Sequence, residues 1–175
     1  MKKLVHYIDL LNEKVGYSVS WLTTALVVLV CYDVFTRYLL KKSSIAVQEL
    51  EWHLFAIIFL LGAAYTLKHD RHVRVDVLYL KFSPKIQAWI NFFGSLVFLI
   101  PFSILAIYTS KNFVLNSFLI NETSPDPGGL PARFIIKVCI PLGFFLLFLQ
   151  GVALASKSLT TALNKDRTNV ETIDG

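Results

Sequence analysis

Few residues in this chain have the type and spacing to do chemistry, and most of those stand beside a residue that would satisfy them. Asp33 and Arg37 are four apart in an otherwise apolar run, so on a helix they share a face and can form an ion pair. Charges inside an apolar span are costly and by default mark function. An unpaired, central Asp33 would suit a proton or ion relay. Beside Arg37, and toward the end of its helix, it suits a structural contact or a contact to a partner helix. Glu49 and Glu51 stand where a second apolar run opens, and acidic groups in a first turn favour the helix dipole. Trp52 fits an interfacial anchor at the same place.

The remaining candidates for chemistry are weaker. A bis-histidine haem would need a histidine facing His53 at matching depth, and His6, His69 and His72 all fall near the opposite ends of the apolar runs. His69 and His72 are three apart, but no further metal ligands cluster around them, so a polar loop is expected there. Cys31 and Cys139 lie inside apolar runs, form no CxxC pair, and read as small buried apolar residues. Asn121-Glu122-Thr123 matches a glycosylation sequon, which matters only in a eukaryotic secretory route. No nucleophile–base pair, HExxH or phosphate-binding loop is present. Neither catalysis nor a cofactor is expected.

The elements that carry these residues are four apolar stretches, at roughly 17–40, 50–67, 88–110 and 134–155. A bilayer core is crossed by about 20 apolar residues in a helix. Hydrophobic residues make up 55% of the 175 and charged residues 17%, and the mean hydropathy is +0.58. Soluble domains carry about 25% charged residues. An all-α membrane protein with four transmembrane helices is therefore expected, forming one domain over residues 1–163 with a polar tail, 164–175, expected to be disordered. The net charge of +5 does not point to nucleic acid, because the basic residues flank apolar helices instead of gathering on a soluble face.

Basic residues set the expected orientation, since Lys and Arg concentrate in cytoplasmic loops. Lys2, Lys3 and Lys14, the run from Lys68 to Lys85, and Lys157, Lys165 and Arg167 outnumber Lys41, Lys42, Lys111, Arg133 and Lys137 on the opposite side. Both termini are expected in the cytoplasm. Residues 4–15 carry Asp9, Glu13 and Lys14, and no small-residue cleavage site follows, so the first helix is expected to be an uncleaved anchor. Leu4, Ile8, Leu11 and Val15 recur at helical spacing: residues 2–15 form either a short amphipathic helix in the interface or an extension of the first helix. Between 68 and 85, Val73, Val75 and Val77 fit an extended segment and Val73, Val77 and Leu80 a helical turn. The run Ser124-Pro125-Asp126-Pro127-Gly128-Gly129-Leu130-Pro131 is turn chemistry. Pro101 and Pro141 are expected at similar depth, where two kinks could bend the last two helices together.

Several strings, taken in order, resemble one family. Tyr32-Asp33-Val34-Phe35-Thr36-Arg37-Tyr38 ends the first helix, Gln48-Glu49-Leu50-Glu51-Trp52 opens the second, and Leu61-Gly62-Ala63-Ala64-Tyr65 closes it. His72-Val73-Arg74-Val75-Asp76-Val77-Leu78 follows, then the proline-glycine run, then Ile140-Pro141-Leu142-Gly143. The set is similar to the small membrane subunit of tripartite ATP-independent periplasmic (TRAP) transporters, from about Asp33 to Gly151. The resemblance implies a small, non-catalytic scaffold subunit in the bacterial inner membrane. Its partners would be a large multi-helix membrane subunit, which holds the substrate and sodium sites, a transiently docking periplasmic substrate-binding protein, and membrane lipids. The implied cargo is an organic acid or related small solute. Asp33, Arg37, Glu49, His72 and Asp76 would be fold or interface positions, and Glu51, Trp52, Arg74, Pro101 and Pro141 are grouped with them. A self-sufficient four-helix drug/proton exchanger is the alternative, but it would need a membrane-embedded glutamate in the first helix, where this chain has Asp33 beside Arg37.

Overall fold

The computed structural model describes residues 2–69, 79 and 81–163, and these fold as long helices joined by short connections. Helix α1 runs from Lys2 to Leu39 and α2 from Ile45 to Lys68. Helix α3 spans Pro84–Leu119, in three pieces: an α-helical start at Pro84–Phe93, a π-helical segment at Gly94–Leu99 and a longer α-helix at Ile100–Leu119. Helix α4 runs from Phe134 to Leu163. All four are long and apolar enough to cross a membrane. The chain is thus an all-helical, multi-pass membrane protein, as its composition implied. The spans overrun the expected boundaries, because the polar residues at their ends find partners on neighbouring helices and the helices continue through them. Residues 2–15 belong to α1 itself and pack into the bundle; they are not a separate interfacial helix.

The fourth helix is the axis of the fold. Helix α4 touches α1, α2 and α3, whereas α1 packs mainly on α2, and α3 on α4. In α4, 33% of the most apolar window is buried, against 11% in each of the other three. In lipid, helices associate through close packing of small residues and scarce polar contacts, and α4 has both. A Cβ on Gly143 would stand 2.5 Å from the Leu60 carbonyl oxygen of α2, and one on Gly151 would stand 3.0 Å from Leu99 of α3. Ala153, fully buried, Ala155 and Ala162 continue the small face. Between α1 and α2, a Cβ on Gly16 would collide with the Tyr65 ring.

The covered face of α1 repeats every three and four residues. Ile8, Asn12, Val15, Val19, Leu22, Leu26, Leu29, Asp33 and Thr36 are all buried or half-buried. This is the 3.5-residue period of a left-handed coiled pair. Helix α3 shows a similar stripe built of small residues: Ala88, Ser95, Ser103, Ser110 and Ser117 are buried. Their spacing is seven residues except between Ser95 and Ser103, where it is eight. The π-helical segment at Gly94–Leu99 lies in that interval, with the Ile100 amide bonded to the Ser95 carbonyl five residues back. A π turn accommodates one extra residue, so the stripe stays on one face.

The two helical prolines differ from expectation. Pro101 follows the π segment, where the α-helical ladder restarts and a missing N–H is tolerated; Pro141 lies inside continuous α4. They are not at one depth. Leu99 lies against Gly151, and the Phe118 ring meets Phe134 at 5.2 Å. That register sets Pro141 level with Thr109–Lys111, about two and a half turns from Pro101. The expected depth assumed that α3 stopped near Ser110, whereas it continues to Leu119.

Candidate functional site

The ionisable residues gather at the two ends of the bundle. One end, here the loop end, holds the 120–133 connection. Helix α3 closes there in a Schellman motif: Asn121 is left-handed (φ 46°), and the Glu122 and Asn121 amides bond to the carbonyls of Ser117 (3.0 Å) and Phe118 (3.1 Å). Gly128 supplies a left-handed turn (φ 84°), and the Ser124 amide bonds to the Leu130 carbonyl at 3.1 Å. The connection folds back over Glu49, which is 4% exposed. The Ser124 hydroxyl donates to Glu49 Oε1 at 2.5 Å, the Leu130 amide to Oε2 at 2.6 Å, and the Arg133 guanidinium to Oε1 at 3.1 Å. One buried carboxylate therefore anchors a proline-glycine loop some eighty residues away. The backbone at Ala132 is left-handed (φ 58°), a conformation costly for a residue with a Cβ and held by the surrounding bonds.

This revises the reading of Glu49 and Glu51. Helix α2 begins at Ile45, so neither lies in its first turn. Glu49 acts through specific donors and not through the helix dipole. Glu51 is half-buried with one carboxylate oxygen, Oε1, buried and unbonded. Trp52 is partly exposed, stacks on His53 with 3.9 Å between ring centroids, and lies 5.7 Å beneath the Arg133 guanidinium. Arg133 thus bridges Glu49 and Trp52. Beside it, Lys137 pairs with Glu122 and sits 4.0 Å from the Phe113 ring centroid. The Lys137 ammonium, which donates to the Glu122 carboxylate, holds that carboxyl below the usual carboxylate range.

Asp33 and Arg37 pair as their spacing implied. Asp33 is buried while Arg37 remains partly exposed, and Asp33 Oδ1 is buried without a partner. His72, Arg74 and Asp76 lie outside the described residues. Cys31 is exposed and Cys139 half-buried, so only the second approaches the buried role expected of both. No group of histidine, cysteine and carboxylate residues suited to a metal occurs among the described residues.

The opposite end, here the tail end, holds a network that the pairing of neighbours along the sequence did not suggest. Asn12 of α1 donates to Gln150 Oε1 of α4 at 2.7 Å, and Gln150 donates to Asp9 at 3.2 Å. Lys157 of α4 reaches Asp9 at 2.6 Å. Lys68 of α2 pairs with Glu13 and donates to the Asp9 carbonyl at 2.9 Å, and His69 lies 2.9 Å from the same Glu13 carboxylate. Three helices are thereby tied at one level. Both amides were discoverable: Asn12 is a polar member of the α1 heptad, and Gln150 is a lone amide inside the fourth apolar stretch.

Between the two ends, the described parts of the chain carry apolar and small side chains almost throughout, so neither end connects to the other through ionisable groups. Comparison with known proteins agrees with this division. The family model for tripartite ATP-independent periplasmic transporters, DctQ component, matches residues 26–161. The ectoine TRAP transporter small permease protein TeaB of Halomonas elongata is 29% identical over 133 residues, 74% of this chain. The chain spans 65% of that relative's length. Members of the family are transporter components, not catalysts. With four apolar helices tied off by polar clusters at both ends, and the family pattern running through all four, the chain belongs to the DctQ-component family of TRAP transporters.

Proposed function

We propose that this chain is the static scaffold subunit of a sodium-coupled, binding-protein-dependent importer in the bacterial inner membrane. It stands beside a larger membrane subunit that moves the solute, an organic acid or a related small molecule. The relative's printed name ties that protein to ectoine; the solute of this chain is assigned only by class. The loop end faces the periplasm and the tail end the cytoplasm, in keeping with the excess of Lys and Arg at the tail end. The loop over Glu49 offers a rigid surface against which a substrate-loaded binding protein can dock.

One observation carries this reading. Among the described residues the carboxylates of the spans lie toward the two ends, where Asp9, Glu13, Asp33 and Glu49 are each paired, and none stands at mid-depth to carry an ion. The same fact disfavours a four-helix proton exchanger, whose first-helix acid must be free to load and unload: Asp33 is held by Arg37. Reconstitution tests the reading. With a sodium gradient, uptake should require this chain, the larger subunit and the binding protein together. Uptake or efflux by this chain alone in proteoliposomes would overturn it.

A further inference from the structure

A wide hollow runs along the seam of α3 and α4 toward the loop end. It is a groove of about 860 Å³. Ile104 and Phe148 line one end, Phe118 and Phe134 the other, with Pro141 between. From Ile104 to Phe118 it extends about 21 Å, at a rise of ~1.5 Å per residue. Its lining is apolar except at Lys111 and the Tyr108 hydroxyl.

Lys111 differs from its neighbours. Toward the loop end the cations carried on a helix or opening one have an anion: Arg37 has Asp33, Arg133 has Glu49 and Lys137 has Glu122, while Lys41 and Lys42 lie in the exposed connection between α1 and α2. By the register of α3 and α4, Lys111 stands level with Cys139–Pro141, about a turn from Lys137, yet it makes no ion pair with any described residue. It points into the groove's surroundings from an exposed position, about 12 Å below the end of α3 at Leu119. An ammonium at such a place in a membrane calls for a counter-charge.

The position of Lys111 along the groove discriminates between occupants. A phospholipid carries its phosphate at one end of its chains, so a lipid groove should hold its cation at one end. Here the apolar lining continues on both sides of Lys111, to Ile104 and Phe148 one way and to Phe118 and Phe134 the other. A helix lying along the whole groove can fill both halves with apolar side chains and present an acid midway. Building on the scaffold role proposed above, we infer that this groove receives a transmembrane helix of the larger subunit, and that this helix places a carboxylate opposite Lys111. The contact joins knob-like packing of apolar side chains to one charge-assisted bond that fixes register.

The test uses the full chain co-expressed with the larger subunit of its transporter. A photo-reactive benzoylphenylalanine replaces Leu115, beside the groove, or Val28, on the outward face of α1. The expected result is an adduct with the larger subunit from position 115. Lys111→Glu should lower recovery of the larger subunit on affinity purification at least tenfold, and Lys111→Arg should retain it. A lysine replacing the matching acid on the larger subunit should restore Lys111→Glu. Adducts with phospholipid alone at position 115, or with the larger subunit only at position 28, would overturn the groove assignment and leave the scaffold role standing. Failure of the unsubstituted chain to purify with the larger subunit would overturn the scaffold role itself.

Discussion

The two polar ends of the bundle solve different problems. At the loop end a single buried carboxylate, Glu49, gathers three donors from one distant segment: a hydroxyl, an amide and a guanidinium. At the tail end the load is spread over side chains of three helices, through amides, lysines and two carboxylates. The first arrangement fixes an irregular loop, which has no ladder of its own and must borrow its bonds. The second fixes helices that already satisfy their own backbones and need only a common level. Concentration makes the loop end dependent on one residue; distribution makes the tail end tolerant.

That contrast can be broken by substitution, and the largest effect belongs to Glu49. Glu49→Ala leaves the half-buried Arg133 without its anion and frees the 120–133 loop. The loss should exceed that of any single substitution at the tail end, because one carboxylate takes three donors with it. Hydrogen exchange at the Leu130 amide should rise sharply, while the tail end stays protected. At the tail end, a double-mutant cycle with Asn12→Ala and Gln150→Ala should give a coupling of about 0.6 kcal/mol, and no more than ~1.7. A coupling as large as the Glu49 loss would erase the distinction between the two ends. Lys157→Ala, at a partly exposed ion pair, should cost less than about 1 kcal/mol. The smallest effect is one of pH. The Glu122 carboxyl is depressed by Lys137 in the folded chain, so its contribution is present at neutral pH. It declines as the pH falls through the acid range, toward the lowered folded value. Protease nicking near Asn121 should increase in acid, and Lys137→Met should remove that acid dependence.

Much of the fold could be read from the chain because its signals are local. Four apolar runs need no partner to be recognised, and Asp33–Arg37 lies within one turn of one helix. What could not be read depends on separation. Glu49 meets Ser124 and Arg133 across 75 and 84 residues, and Asn12 meets Gln150 across 138. Until those meetings are known, a carboxylate near a helix start looks like a dipole partner. Helix ends were misjudged for the same reason: Lys68 and Asp9 looked like boundary residues until each was seen to have a partner within the bundle. The relative depth of Pro101 and Pro141 failed because an error in one helix end shifts every depth measured along it.

The one-residue irregularity in α3 carries a consequence for how this helix tolerates changes of length. In a regular helix, deleting a residue turns everything beyond it by about 100° and points a buried stripe elsewhere. Between Ser95 and Ser103 the surplus residue is already stored in a wide turn. Deleting one residue there would relax the wide turn into an ordinary one and leave Ala88, Ser95, Ser110 and Ser117 facing α4 as before. The same deletion between Ser103 and Ser117 would have no such reserve. Helix α3 is therefore a rod with one slack link, and a lineage could gain or lose a residue at that link without renegotiating its contacts to the rest of the bundle.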